Sequence, residues 1–170
     1  MPAAAEISEC LIRENISRAV ADVFKTMMGR SAILSVAHAA ERGEAPGTSV
    51  DQVIGTVGFI GDLNGLVYLY LDEGFANQCT GQILGLNAFE LAAAGAEVVN
   101  DAIGELTNMV VGSFKNALCD AGYPCKLTIP SILRARNFCI QSTRRAEHRS
   151  YRFTCGSHRL VADIIIKSGD

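Results

Sequence analysis

The sequence predicts an α+β fold: an antiparallel-rich sheet packed against long helices. Three observations carry this. Residues 97–118 place Ile103, Leu106, Val110, Phe114 and Ala117 on one stripe at about 100° per residue, the spacing of a core-facing helix. Short runs rich in Val, Ile, Leu and Tyr are punctuated by turn residues, among them Asn64-Gly65 and Gly156-Ser-His158. Finally, a helix followed by three strands occurs at 7–72 and again at 97–167, so the chain reads as a divergent internal repeat within one domain spanning 1–170.

Taken in order, residues 7–28 are a helix with Ile12, Ile16, Val20, Val23 and Met27 at helical spacing. Ser8 is placed to cap it, but Leu11 stands where a capping box needs an acid or amide. Gly29 suits the C-terminal stop. Ala32–Ala37 is a first strand, and Glu41–Thr48 a polar loop. Gln52–Ile60 is a second strand, Gly61–Gly65 its hairpin turn, and Val67–Leu71 a third strand, large on both faces and so central in the sheet. Asp72 caps a second helix over 73–84, ended by Gly85. Asn87–Gly95 is a short connection into the long helix, which runs to a stop at Gly122. A strand at Lys126–Ile129, a loop through Ser131–Ser142 and strands at Tyr151–Cys155 and Leu160–Lys167 complete the chain. The last strand is apolar apart from Asp163, which predicts cover on both faces.

Composition narrows the function classes. Apolar residues make up 49% and charged residues 19%, the balance of a globular chain. No apolar run reaches membrane-spanning length, and Met1–Glu6 lacks the basic and apolar regions of a leader, so the default expectation is cytoplasmic. Six cysteines have no C-x-x-C spacing and three histidines no helical or zinc-finger spacing, and the cytoplasmic expectation makes the thiols reduced and mostly buried. Charge is uneven. Residues 1–125 hold 6 basic and 15 acidic side chains, residues 126–170 hold 9 and 3. The basic third has no interleaved aromatics for base stacking, which argues against nucleic acid. Its arginines suit a solvated or edge-protecting role first, and an acidic partner or a second subunit next.

The long helix carries a second line. Asp101, Glu105 and Asn108 stand at i, i+4 and i+7, and Gly112 extends the line one turn on. Most such lines are solvated faces. This one lacks the Lys or Arg that usually makes i, i+4 ion pairs. Gly112 costs about 1 kcal/mol against alanine, which suits either a face open to another backbone or packing against a helix. There is no P-loop and no His paired with a Ser or Cys nucleophile.

Asp101-xxx-Glu105-xx-Asn108 with Pro130 downstream resembles the signature of the CheC/CheX/FliY family of chemotaxis phosphatases. The spacer to Pro130 is 21 residues, one shorter than the family pattern. Gly104-Glu-Leu-Thr-Asn-Met109 and Val23-Phe-Lys-Thr-Met-Met-Gly29 are also similar to that family, and the resemblance spans 7–167. Aligning Phe24-Lys25 with Phe114-Lys115 sets Asn15 and Arg18 opposite Glu105 and Asn108, so the first half lacks the pair and the chain is most like single-site CheX. The resemblance implies a CheC-like fold and a phosphatase acting on the aspartyl phosphate of a CheY-type response regulator. It assigns water alignment to Asn108, pairing with the regulator's active-site lysine to Glu105, and orientation of the face or dock to Asp101. Pro130 shapes the strand end or is a simple turn proline. Thr107, Met109 and Gly112 are expected on the docking surface, with the flank positions of Thr107 and Met109 suiting either packing or rim contacts. Magnesium belongs to the regulator, so no metal is expected on this chain, and a homodimer is expected. The alternative is a non-catalytic docking module for a regulator or flagellar switch partner.

Overall fold

The computed structural model describes residues 7–39, 50–138 and 140–168; the expected polar loop at 41–48, residues 1–6 and Cys139 lie outside them. The elements run α1 (Glu9–Met28), β1 (Ile33–Ala39), β2 (Gln52–Gly61), β3 (Leu63–Asp72), α2 (Glu73–Leu84), α3 (Ala88–Ala94), α4 (Ala96–Asp120), β4 (Cys125–Leu127), β5 (Ser131–Ala135), β6 (Glu147–Cys155) and β7 (His158–Ser168). Caps set the helix ends. Ser8 Oγ accepts from Leu11 N, Asp72 accepts from Phe75 N, and Asn87 with Glu90 forms a capping box at α3. Gly29, at φ 61°, closes α1 in the left-handed region.

The sheet is antiparallel, in the order β1-β6-β7-β3-β2-β4, with β5 also on β2. This order is symmetric about the central β7–β3 pair. Each half contributes its second and third strands to its own side, while its first strand lies at the far edge, beside the second strand of the other half. One face carries the helices. Val53, Val57 and Phe59 of β2, Val67, Leu69 and Leu71 of β3, and Ala162 and Ile164 of β7 alternate toward it and are buried. Ile12, Ile16, Val20 and Phe24 of α1 and Ile103, Val110 and Phe114 of α4 complete the same core. On the other face, Phe138 packs against Tyr68 and Tyr70, with ring centroids 6.3 Å from each. Asp163 is buried there, its Oδ2 3.3 Å from His148 Nε2.

Three expectations need correction. The chain reversal after β2 is centred near Asp62, not on Asn64-Gly65, and both of those residues are in β3. Asn64 instead accepts from Gly61 N at 3.1 Å. Gly65 lies opposite Phe59, where a Cβ would overlap the Phe59 ring; glycine is there for close approach, not for a turn. Residues 131–135 are a strand on β2 rather than loop. The first strand of the second half is thus in two pieces, β4 and β5. The sixth strand begins at Glu147, four residues before the expected Tyr151.

Candidate functional site

α4 is the site's platform. Val99, Ile103, Leu106, Val110, Phe114 and Leu118 are buried along one side. Thr107 belongs to the buried side too. It is fully buried, its Oγ1 donates to Ile103 O at 2.7 Å, and a Cβ on Gly55 of β2 would overlap it. The expectation that Thr107 lies on the docking surface is therefore wrong. Its hydroxyl is satisfied within its own helix, so the residue packs as an apolar one would. Met109 is half-buried and packs against the core, leaving at most an edge at the surface.

The opposite side is open. Asp101 and Glu105 are exposed, and Asn108 and Gly112 are half-buried. Glu105 and Asn108, three residues apart, are neighbours on the helix surface. Among the described residues, neither side chain makes a hydrogen bond or ion pair within the chain. A methyl at Gly112 would meet only Leu127, at 3.9 Å. A methyl there would make only an ordinary contact, so close packing among the described residues does not require the glycine.

The edge strand brings the distant proline to this face. Pairing shifts register between Phe59↔Leu127 and Thr56↔Ser131. Val57 and Gly58 thus oppose Thr128, Ile129 and Pro130, one residue more, which is a β-bulge. Thr128 holds it: its N donates to Gly58 O at 2.9 Å and its Oγ1 accepts from Gly58 N at 2.8 Å. Proline has no N–H to offer a ladder, so an edge bulge is where it fits. A Cβ on Gly104 would lie 4.0 Å from Ile132, and one on Gly112 3.9 Å from Leu127. Asn108 is midway along that helix stripe, and the bulge is midway between Leu127 and Ile132. In sequence order along the two antiparallel elements, Asn108 thus falls between Gly104 and Gly112 as Pro130 falls between Ile132 and Leu127. The 21-residue spacer is the rest of α4, its turn and the returning β4. Next to Pro130, Ile129 is 85% exposed, a feature the sequence reading placed inside a strand. On the other flank, Asp101 and Glu105 border an open groove of ≈ 350 Å³ between α4 and the ends of α1 and α2.

Among the described residues, no cysteine, serine or histidine stands on the line of Asp101, Glu105, Asn108 and Gly112. Burial pushes the Cys79 thiol up to about 12 and the Cys125 thiol up to about 11, so neither is a thiolate at neutral pH. His158 stacks on Phe75 with centroids 4.5 Å apart. The described residues hold no cluster of three or more His, Cys, Asp or Glu suited to a metal. None of their helices is long and apolar enough to cross a membrane. Three arginines of the basic third reach acids of the earlier part of the same chain: Arg134 pairs with Glu73, Arg136 with Asp51, and Arg149 with Glu9.

The fold is that of the CheC-like proteins. A CheC-like superfamily protein from Shewanella sp. PV-4 superposes with a TM-score of 0.80 at 21% identity, covering 95% of this chain and 100% of that one. CheX from Vibrio vulnificus gives 0.77 at 21%, covering 92% and 99%. The Borrelia burgdorferi protein in a CheX–CheY–BeF3–Mg2+ complex gives 0.67 at 18%, covering 92% and 98%. No curated protein matches the sequence. The family model described as chemotaxis phosphatase CheX matches residues 53–154, and the chain belongs to that family.

Proposed function

We propose that this protein is a phosphatase that accelerates hydrolysis of the aspartyl phosphate on a CheY-type response regulator. The observation that carries the reading is the pair Glu105 and Asn108. A carboxylate and a carboxamide share one open helix face, and no side chain among the described residues engages either. The similar fold from Borrelia burgdorferi, described in complex with CheY, supports the choice of partner.

The chemistry follows from what the two groups do. A carboxamide both donates and accepts, so Asn108 orients a water with its lone pair toward phosphorus. Water attacks in line, the phosphorus–oxygen bond to the aspartate breaks, and inorganic phosphate leaves. Phosphoryl transfer needs little covalent help, so positioning and electrostatics supply most of the rate. The Glu105 carboxylate pairs with a lysine of the regulator and sets the depth and register of the dock. Magnesium is held by the regulator. Asp101, one turn before Glu105, keeps the helix rim acidic. Pro130 holds the bulge at the height of Asn108, so that the edge strand does not rise over the amide.

The test is decay of a phosphorylated CheY-type regulator from the same genome. Wild type should accelerate it. Asn108→Ala should lose about 100-fold or more of the acceleration with binding retained, the scale on which one positioned polar group matters. Glu105→Ala should weaken binding about tenfold or more. Binding without acceleration by wild type would replace this reading with a docking module. Neither binding nor acceleration, with any such regulator of that genome, would remove the partner class altogether.

A further inference from the structure

The groove beside Glu105 has no part in aligning water, yet it is continuous with the face that does. Met27 at the end of α1, Ile83 and Leu84 at the end of α2, and Val98 on α4 give it an apolar floor. Asp101 and Glu105 form its rim. Leu84 is 48% exposed and stands next to Ile83 and Met27, so it extends an apolar surface rather than standing singly. No lysine or arginine lines the groove, so the two carboxylates have no counter-charge in it. The volume of ≈ 350 Å³ is at the small end of the range for binding pockets, and it is open along the helix.

We infer that this groove is the specificity pocket for the response regulator: it takes an apolar side chain from a partner loop whose neighbouring residue is basic. The inference rests on the phosphatase reading above and names a surface which that reading does not need. Two facts favour this occupant. The groove shares Glu105 with the candidate catalytic face, so a partner seated on Asn108 already reaches it. An apolar floor under an acidic rim is complementary to an apolar residue beside a lysine or arginine, since the floor rewards desolvation and the rim selects charge. Catalysis and recognition then divide along α4. Asn108 on the bulge side acts on the phosphoryl group, and the groove side chooses which regulator is admitted.

The experiment measures acceleration of phosphoryl-regulator decay across regulator concentrations, together with binding of the same regulator loaded with beryllofluoride. Leu84→Glu places a third negative charge on the groove floor, and Leu84→Ala removes apolar contact without adding charge. The expected result is a half-saturating concentration raised about tenfold or more for Leu84→Glu and about threefold to tenfold for Leu84→Ala, the range of a contributing interface residue. The maximal rate is retained in both. Ile60→Ala, which truncates an exposed residue on the other face of the sheet, should change neither value. Melting temperatures of all variants identify any that are simply unfolded, and Val98→Ala then serves as the second probe of the floor. Unchanged half-saturation in the Leu84 variants would overturn the inference and leave the phosphatase reading standing. A lowered maximal rate with unchanged half-saturation would also overturn it. If wild type binds without accelerating decay, the phosphatase reading fails. The groove inference then stands or falls on whether Leu84→Glu weakens that binding.

Discussion

Thr107 and Asn108 are adjacent in the chain and point in different directions, because consecutive helical residues diverge by about 100°. Asn108 faces outward beside the bulge, while Thr107 presses into β2 where Gly55 leaves room for it. That contact sets how closely α4 approaches the sheet, and so the height at which Glu105 and Asn108 stand. Gly55→Ala should destabilise the fold by about 1–3 kcal/mol through overpacking, because the new methyl meets a fixed side chain and not open space. A melting curve with no loss relative to wild type would refute this. That Glu105 and Asn108 share a face was legible in the sequence, because i, i+3 spacing on a helix needs no tertiary knowledge, while their roles rest on the family resemblance and not on the spacing. Thr107 was not legible. A hydroxyl that bonds its own helix looks polar in sequence and behaves as an apolar group in the core. Ile129 escaped for the opposite reason: an isoleucine after Lys-Leu-Thr reads as a buried strand residue, and only the bulge turns it out.

At the scale of elements, local chemistry was a good guide to the ends of α1 and the start of α2, though α4 begins at Gly95 with no side-chain cap. Ser8, Asp72 and Gly29 all cap as their residue types require. Asp72 accepts from Phe75 N at 2.7 Å, and removing that bond in Asp72→Ala should cost about 1 kcal/mol. For a chain of this size that is a fall of about 2–4 °C in melting temperature, readable by circular dichroism. Strands were less legible. Asn64-Gly65 is a strong hairpin signal, but here the Phe59 ring claims the space over Gly65, and tertiary packing overrides the local preference. The strand β5 was hidden because it follows Pro130 and carries a polar mixture. Arg134 faces the helix side to reach Glu73, Asn100 and Ala96 O, so its alternation does not read as apolar against polar. The strand β6 starts early for a similar reason: Arg149 pairs with both Glu147 and Glu9, so this stretch does not show a hydrophobic face.

For the whole molecule, the uneven charge found in the sequence is met in part internally, with Arg134, Arg136 and Arg149 of the last third tied to Glu73, Asp51 and Glu9. These pairs are partly exposed and individually modest. The larger electrostatic signature is alkaline. Burial raises Cys79 to about 12, Tyr151 to about 12 and Cys125 to about 11. Each stays protonated in the fold at a pH where the unfolded chain has released the proton. The native state therefore holds more protons between pH 9 and 12, and stability must fall as pH rises through that window. Below the ordinary thiol and phenol values the contribution is fully present. A melting-temperature series from pH 8 to 11 should fall steadily, and Cys79→Ala should fall less steeply than wild type. Parallel slopes for the two would contradict the assignment.

The crossed placement of the two edge strands has a consequence for what kind of chain could make this sheet. A cut between α2 and α3 would leave two fragments, each without a neighbour for its own leading strand and each holding the strand that completes the other. Neither is a self-sufficient unit, yet together they are stoichiometric complements. A polypeptide of half the length could build the same surface only by trading leading strands with an identical twin, and in such a pair both long helices would be equivalent. Joining the twins in one chain lifts that equivalence. One helix can then serve mainly to roof the sheet, while its counterpart keeps the carboxylate and the amide.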